Sequence, residues 1–522
     1  MHSITLLEAT NGIATGASGK AGGLLALWAY PDCLVPLSYR LHRELAAEHD
    51  GANRWGYRRV GCGSIAATVT GSDIKKARDN SSSPKVGVPL TKVDVTGPAA
   101  PAAQEKPGGP EPGLVDSNGS SSSTNGSPYG LEHNNSAAVP LGSDAAELPI
   151  KSTIATTDNT DINTDIPKES SKEWEKLPKQ DQAATELLQE SLLPSDLDWI
   201  DANLVYHYEE MGSPGATETA QVHPYQFTNA MAELAREKGV DIRLGAKVTR
   251  INHSKTGGVQ SVEYVDRRAE FEAGNGEGQE SGTGLEEVVV VVMDDVTDVI
   301  VTAGPWTGRL LPKSKVEGLR AHSVVLEADV SPYAVFTDIQ LPSDYVPEHR
   351  AKKGQKRRHR GHVDPEVYAR PGGEVYACGK FSTPRPPLFT PSPKPYLTSY
   401  SHLSLGEPDT SIPLPETADL VQCDTDQCDD LVAYLGTVSP VLGSAPVRAR
   451  QACYLPRHMR FGEERGPLIG QTSTPGLWIA AGHTCWGIQN GPGTGCLMAE
   501  MLLDGEARSA DVGKLDPSRF KV

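Results

Sequence analysis

A short apolar segment that ends on a carboxylate and runs into a glycine-rich turn constrains this chain more than any other feature. Leu6 and Leu7 lead to Glu8, and most residues at 9–23 are Gly, Ala, Ser or Thr. Because few large side chains intervene, the backbone there can lie directly against a planar or phosphorylated ligand. The stretch therefore predicts a strand and a ligand-binding turn, around which the rest of the fold is organised.

Composition and charge exclude several classes of protein. The formal net charge of the 522 residues is -18, which disfavours a nucleic-acid binder. No apolar run approaches twenty residues and the mean hydropathy is -0.38, so we expect no membrane span. The eight cysteines include no C-x-x-C pair, which favours reduced thiols over a disulfide framework or a metal site. Because no signal peptide is visible at the start, we expect a cytoplasmic protein.

Hydrophobic patterning divides the chain into ordered blocks separated by polar inserts. Residues 72–193 contain almost no aliphatic clusters and predict a disordered insertion. Shorter polar stretches at 266–287 and 351–361 predict flexible loops. The block at 313–442 reads as a substrate domain with antiparallel strands. The segments predicted to form one split cofactor domain are 1–71, 194–312 and 443–522.

Two later segments carry clear secondary-structure signals. Pro224 opens a helix whose apolar face includes Phe227. Near the C-terminus, an apolar strand over 477–481 leads through a loop to a helix that ends at Asp504. We expect this helix to begin after the glycine-rich turn at 491–495, so that its free N–H groups and positive dipole end face the loop.

Seven motifs, taken in order, resemble those of the FAD-dependent oxidoreductases of the D-amino-acid oxidase, glycine oxidase and sarcosine oxidase superfamily. They lie at 7–8, 17–23, 222–224, 246–248, 301–306, 466–470 and 481–495. Within that superfamily the chain is similar to fungal oxidoreductases linked to late-endosome recycling. The resemblance implies an α/β fold, with a split Rossmann-like FAD-binding domain and an α+β substrate domain that contains an antiparallel sheet.

The resemblance also implies how FAD is held. Glu8 would bind the adenosine ribose, the turn at 18–23 the pyrophosphate and flavin edge, and Val248 the adenine. Gly304 would approach the cofactor through its backbone, and 491–495 would face the flavin pyrimidine ring, where a helix N-terminus stabilises negative charge. The residues assigned to the cofactor are Glu8, Ser18, Gly19, Lys20, Gly22, Gly23, Val248, Gly304, Cys453, Gly482, Gly491, Gly493, Thr494 and Gly495.

The same resemblance implies which residues bind the substrate and which lie beside the reacting atoms. Arg370 and Arg450 are candidates to clamp a substrate carboxylate bidentately, and ion pairing within the protein is the alternative. His483 and Trp486 would lie beside the flavin, where the histidine either tunes protonation or is structural. Cys453 falls where sarcosine oxidase anchors its flavin covalently, and a buried core cysteine is the favoured alternative.

The implied reaction is oxidation of a small amine or an N-substituted or D-amino acid by hydride transfer to flavin. The alternative is a catalytically weak, flavoprotein-like scaffold in endosomal trafficking, with peripheral association to endosomes. Members of the superfamily begin with an apolar strand and a G-x-G-x-x-G turn, whereas Met1 falls just before the second strand. We therefore expect an N-terminally truncated chain that retains FAD weakly or not at all.

Overall fold

The computed structural model describes residues 3–82, 192–212, 218–273, 289–356, 361–379 and 412–522. Most of the predicted insertion, at 83–191, lies outside the described residues, as does most of the predicted loop at 266–287. Within the part of the chain that is described, no helix combines the length and the apolar character needed to cross a membrane.

The described strands alternate with short helices along the chain. The strands are β1 (Thr5–Glu8), β2 (Leu24–Ala26), β3 (Arg58–Arg59), β4 (Gly61–Thr68), β5 (Val205–Glu210), β6 (Thr219–Gln221), β7 (Asp241–Leu244), β8 (Ala246–His253), β9 (Val259–Asp266), β10 (Val290–Met293), β11 (Val299–Val301), β12 (Val316–Glu327), β13 (Tyr333–Gln340), β14 (His362–Val363), β15 (Glu366–Arg370), β16 (Glu374–Cys378), β17 (Val447–Arg460), β18 (Glu463–Arg465), β19 (Leu468–Gln471) and β20 (Leu477–Ala481). The α-helices are α1 (Val35–Glu48), α2 (Gly51–Trp55), α3 (Gly71–Ser82), α4 (Pro224–Glu237), α5 (Arg268–Ala273), α6 (Thr307–Leu310), α7 (Glu348–Lys352), α8 (Thr425–Leu435), α9 (Pro440–Ser444) and α10 (Gly487–Asp504).

One large mixed sheet dominates the architecture. Its strands run in the order β18-β17-β12-β16-β15-β13-β4-β5, and β14 pairs with β13. All these pairs are antiparallel except β4 with β13. Helix α8 packs its buried Leu431, Tyr434 and Leu435 against apolar residues of the sheet such as Val324 and Val375. Burial of these side chains is the main apolar stabilisation of this part of the fold.

Membership of the large sheet differs from the predicted domain boundaries. Strands β4, β5 and β17 come from the three segments assigned to the cofactor domain, yet they hydrogen-bond within the sheet predicted for the substrate domain. Hydrophobic patterning marks a strand as buried but does not say which partner it pairs with. Parallel pairing occurs in smaller sheets, between β1 and β7 and between β11 and β20. The whole is a mixed α/β fold.

Two segments predicted to lack structure contain helices. Helix α3 occupies the start of the predicted insertion, and Thr70 and Asp73 bond each other's backbone N–H groups at its first turn. This reciprocal arrangement is a capping box, a signal that the sequence carries. Helix α5 likewise begins the predicted loop at 266–287, and the predicted loop at 351–361 begins within α7.

The helix predicted to follow the 491–495 turn begins earlier, at Gly487, so this turn is helical and Pro492 lies inside α10. Proline has no N–H to donate to the carbonyl of Ile488, four residues earlier. The buried His42 of α1 compensates, because its Nε2 lies 2.9 Å from that oxygen and donates to it. A side chain from another helix thus supplies the missing hydrogen bond, which the sequence pattern did not predict.

Candidate active site

The carboxylate of Glu8 lies at the end of β1 and is held from one side. The backbone N–H of Thr10 donates to its Oε1 at 2.9 Å, and the Thr10 hydroxyl lies 2.8 Å from the same oxygen. Among the described residues no donor reaches Oε2. The strand end therefore fixes the orientation of the carboxylate and leaves one oxygen able to accept ligand hydroxyls, as predicted for a ribose site.

Arg267 stabilises the turn that follows Glu8 by binding its backbone. Its Nη1 donates to the Ala9 carbonyl at 2.9 Å, and its side chain is nearly buried. Ion pairs to Glu270 at 2.9 Å and to Asp419 at 3.3 Å neutralise the guanidinium. The sequence analysis missed Arg267, because its contacts join segments that lie more than a hundred residues apart.

Two further residues were predicted to contact the cofactor: Val248 at the adenine and Gly304 through its backbone. Val248 is half-buried in β8, and the adjacent Lys247 forms an ion pair with Glu416 at 2.6 Å. Gly304 has φ +52°, and a Cβ there would meet no atom within 4 Å. Its backbone is therefore accessible, as the predicted approach to a cofactor requires.

Glycines of the 18–23 turn are required because protein atoms fill the space beside them. Gly19 lies against the carbonyl of Ala14, and Gly23, at φ +84°, lies against that of Val222. A Cβ at Gly22 would come within 2.5 Å of the Tyr368 ring. Small residues here let the turn pack against neighbouring elements, whereas the sequence analysis attributed them to the cofactor alone.

The two polar members of the turn have different surroundings. Ser18 and Lys20 belong to a short 3₁₀ turn over Ala17–Lys20. Lys20 donates from Nζ to the Ala452 carbonyl at 3.0 Å, which joins the turn to β17. Ser18 is exposed. Lys20 therefore anchors the turn to the large sheet as well as lying where the pyrophosphate was predicted.

Cys453, next to that contact on β17, is a buried thiol. Burial raises its pKa to about 11, and the positive charge of Lys20 acts in the opposite direction. The protonated form predominates at neutral pH, and the thiolate is the nucleophilic form of cysteine. These surroundings agree with the favoured alternative, a small apolar residue of the core.

Arg370 lies at the end of β15, with its guanidinium already engaged. It donates to the Ala21 carbonyl, pairs with Glu374 at 3.4 Å and lies over the Tyr376 ring at 4.6 Å. Glu374 also lies 3.3 Å from His223, whose hydrogen bond is the main cause that lowers the pKa of this carboxyl. Arg370 thus ties the glycine turn to the sheet, and a substrate carboxylate would have to compete with Glu374.

Arg450 is separated from Arg370. It pairs with Asp429 of α8 at 2.7 Å, and its side chain keeps 38% of its surface exposed. Through Val324 and Ala377, the strand register aligns Arg450 with Val367 of β15. Side chains alternate along a strand, so Arg370, three residues after Val367, lies on the other face of the sheet. The structure does not bring the two predicted clamp arginines together.

Five aromatic side chains from separate elements form a continuous row of touching rings, here called the aromatic wall, in which two tyrosines are buried and the other three side chains are partly exposed. Its members are Trp28, Phe336, Tyr368, Tyr376 and Trp486. Trp28 lies 6.0 Å from Phe336 and 5.8 Å from Trp486, and Tyr368 lies 5.9 Å from Tyr376, measured between ring centroids. These are ordinary aromatic packing distances. The sequence analysis singled out Trp486 alone.

Glu366 places a carboxylate at the aromatic wall. The Tyr368 hydroxyl donates to its Oε2 at 2.5 Å, and the Cys378 thiol lies 3.9 Å from the same oxygen. Burial, and then the charge of Glu366, raise the pKa of Cys485 to about 12. Cys485 is itself exposed, so the charge of Glu366 acts on a thiol that solvent can reach. Sequence reasoning missed Glu366 as well.

His483 lies between β20 and α10. Its Nε2 is 3.0 Å from the Thr494 hydroxyl, and burial lowers its pKa to about 4, so the ring is neutral at pH 7. Gly482 before it has φ +91° and packs against His458. A neutral, hydrogen-bonded imidazole fits the structural alternative and also leaves no positive charge beside a ligand.

The three glycines of α10 that were predicted to face the cofactor, at 491, 493 and 495, have different surroundings. A Cβ at Gly491 or Gly495 would meet nothing within 4 Å, whereas one at Gly493 would collide with Ser38 of α1. Gly493 therefore packs against α1, and its place against the flavin ring stays a prediction. Gln489, in the first turn of α10, accepts from the Ala26 N–H at 2.8 Å. Its buried Nε2 has no partner among the described residues.

These features fit a large phosphorylated, planar cofactor. Glu8 offers one carboxylate oxygen, the backbones at Gly304 and Gly491 are accessible, and Gln489 carries a buried donor at a helix start. A carboxylate can accept hydrogen bonds from ribose hydroxyls, and accessible backbone and amide N–H groups can donate to oxygens of a ring or a phosphate. The arrangement therefore suits the FAD expected from the sequence motifs, held beside the aromatic wall.

Comparison with known proteins gives a consistent picture. The family described as DAO, FAD dependent oxidoreductase, matches residues 168–501. The Saccharomyces cerevisiae protein named "Putative oxidoreductase TDA3" is 34% identical over 545 residues, covering 99% of this chain and 89% of that protein. A Schizosaccharomyces pombe protein, "Putative oxidoreductase C1F5.03c", is 26% identical and covers 98% and 90%. Among solved structures, glycine oxidase from Geobacillus kaustophilus is 14% identical, with a TM-score of 0.48 over 99% of this chain and 92% of that one.

Proposed function

The chain belongs to the DAO family of FAD-dependent oxidoreductases, and from that premise we propose that it oxidises a small amine or amino acid at the carbon that bears nitrogen. The contact between Gly22 and the Tyr368 ring carries this proposal. It brings the turn expected at the flavin edge against the aromatic wall and Glu366. A substrate bound at this wall would lie next to the cofactor, as hydride transfer requires.

Several residues of the chain would hold the cofactor. Glu8 would accept ribose hydroxyls through Oε2, Gly304 would offer its backbone, and the first turn of α10 would lie near the ring. FAD, when bound, supplies the two-electron acceptor for the hydride that leaves the substrate carbon. The chain contributes the orientation of the substrate and the exclusion of water.

The aromatic wall favours a cationic group on the substrate. Ring faces attract ammonium groups, and the Glu366 carboxylate adds an opposite charge held in place by the Tyr368 hydroxyl. Arg370, in contrast, already pairs with Glu374. We therefore infer that amine recognition contributes more to binding than recognition of a substrate carboxylate.

His483 and Trp486 have supporting roles in this proposal. The neutral His483 keeps positive charge away from the bound ammonium, and its hydrogen bond to Thr494 fixes the ring. Trp486 packs edge-on against Trp28 and closes one side of the wall to water. The imine product would be hydrolysed by water after the hydride has left.

Anaerobic reduction of the FAD-loaded protein by a panel of substrates tests this proposal. The panel pairs primary and N-methyl amines with the amino acids that differ from them by one carboxylate. We expect loss of the oxidised flavin's visible absorbance with at least one member, and faster loss with the amine of each effective pair. A non-catalytic scaffold in trafficking would leave every member unreacted.

Cofactor binding is measured first, by equilibrium dialysis with FAD, so that the two possible failures stay distinct. A protein that binds FAD but reacts with no member of the panel contradicts the proposed reaction. A faster reaction with every carboxylate-bearing partner would contradict the proposed preference and restore Arg370 as the main recognition residue.

A further inference from the structure

Two cysteines lie in sulfur contact at the first turn of helix α8, away from the site described above. Asp424 caps this helix by accepting the N–H groups of Asp426 and Gln427, at 3.1 Å and 3.4 Å. Cys423 precedes the cap and Cys428 is the fourth residue after it. In many helices these two positions hold apolar residues that pack together as a hydrophobic staple. Here the two Sγ atoms are 3.5 Å apart.

The two thiols differ in access. Cys428 is fully buried, and its Sγ lies 3.4 Å from the Ser323 carbonyl on β12 and 3.7 Å from the Gln451 carbonyl on β17. Cys423 is only partly buried. All eight cysteines lie in the described ranges, and within them no other pair is recorded in sulfur–sulfur contact. One sulfur is therefore fixed by the sheet, and the other can be reached from solvent.

We propose that Cys423 and Cys428 form a reversible thiol–disulfide modification site, closed by a peroxide and opened by a dithiol. The start of α8 already brings the two sulfur atoms together, so only a small movement of the Cys423 side chain is needed for a bond to form between them. The proposal is independent of the flavin reaction, because none of the residues assigned to the cofactor or the substrate takes part.

The chemistry balances with hydrogen peroxide as oxidant. The Cys423 sulfur attacks one peroxide oxygen, the O–O bond breaks, and one water leaves while the cysteine becomes a sulfenic acid. The Cys428 sulfur then attacks the Cys423 sulfur, the S–O bond breaks, and a second water leaves. Two thiols and one peroxide thus give one disulfide and two waters. An added dithiol returns two electrons and two protons through a mixed disulfide.

Closure would fix the end of a segment that is held elsewhere by the short helical turns at 304–310. Residues 412–423 bond Trp306 through the Pro415 carbonyl at 2.7 Å and Arg309 through the Leu414 carbonyl at 2.6 Å. Cys423 ends this segment where it enters α8. A bond to the anchored Cys428 holds the segment and the first helical turn together, so the oxidised protein should resist thermal unfolding better than the reduced one.

Differential alkylation of the full chain tests the proposal. Reduced, desalted protein is treated with hydrogen peroxide, denatured, alkylated, digested and analysed by mass spectrometry. We expect Cys423 and Cys428 to lose alkylation together and to appear in a linked peptide, two hydrogens lighter than the reduced pair. Dithiothreitol should restore both labels, and the melting temperature should rise on oxidation and fall on reduction.

The variant Cys423→Ser should abolish the linked peptide, and it removes only the partly exposed member of the pair. Cys485→Ser is the matched control, an exposed cysteine whose loss should leave the linkage unchanged. The proposal is overturned if peroxide oxidises Cys485 while both Cys423 and Cys428 keep their labels. It is equally overturned if Cys423 proceeds to sulfinic acid without linking to Cys428.

Discussion

The glycine turn at 18–23 and the aromatic wall meet at Gly22 and Tyr368, yet the two are built in different ways. The turn is one continuous stretch whose shape depends on backbone and on the absence of side chains. The wall consists of side chains from five separate places in the chain: three on neighbouring strands of the large sheet, one after β2 and one in the turn before α10. A site can thus combine one half that is local in the sequence with another that is not.

The two halves should also respond differently to substitution. A side chain added to the turn collides with fixed backbone, which leads to loss of structure. A side chain changed in the wall alters charge and shape at a surface, which leads mainly to loss of recognition. Four substitutions, taken from the largest expected effect to the smallest, test this contrast.

The substitution Gly23→Ala should be the most damaging. Gly23 has φ +84°, and its Cβ would collide with the Val222 carbonyl. Left-handed strain of about 1–2 kcal/mol and overpacking of about 1–3 kcal/mol together predict a loss of roughly 2–5 kcal/mol in the free energy of unfolding. Urea denaturation measures this loss. Gly16→Ala is the control, because a Cβ there meets nothing within 4 Å; equal stability of the two variants would show that the turn is not held by its neighbours.

Removal of Arg267 tests the support behind the Glu8 turn. Arg267→Ala leaves the Ala9 carbonyl and Asp419 without this donor. Because Arg267 is nearly buried and Asp419 is partly exposed, the free energy of unfolding should fall by about 1–3 kcal/mol. FAD affinity should fall as well, because the Glu8 carboxylate loses its fixed position. Arg267→Lys keeps the charge but not the fork geometry, so it should recover part of the stability and less of the affinity. Unchanged FAD affinity in Arg267→Ala would separate this arginine from the ribose site.

What could be predicted from the sequence follows the same contrast. The strand ending on Glu8, the helix opened by Pro224 and the family itself depend on adjacent residues, and they were found. The packing of Gly493 against α1 depends on contacts between helices, and it was not predicted. Glu366 and Arg267 were missed, because nothing near them in the sequence distinguishes them from surface charges. Their roles arise from strand pairing and from contacts between distant segments.

The substitution Glu366→Gln tests the charge of the aromatic wall. Glutamine keeps the shape and can still accept from Tyr368, so stability should change little, whereas kcat/KM for a cationic amine should fall about tenfold, or about 1.4 kcal/mol. A second readout does not need activity: the pKa of Cys485, raised by burial and by Glu366, should fall in this variant. The pH dependence of Cys485 alkylation measures it. The same pH dependence of Cys485 alkylation in the variant and in the unchanged protein would show that Glu366 does not act on this wall.

Arg450→Ala should have the smallest effect of the four, although the sequence made Arg450, like Arg370, a candidate to clamp a substrate carboxylate. Its partner Asp429 is partly exposed, and ion pairs of this kind contribute about 0–1 kcal/mol. We expect little change in unfolding by urea, in FAD affinity or in amine kinetics. A rise in KM confined to substrates with a carboxylate would contradict the structure and return Arg450 to the site. An unchanged KM would agree with the proposal that substrate binds at the aromatic wall and Glu366, next to the glycine turn.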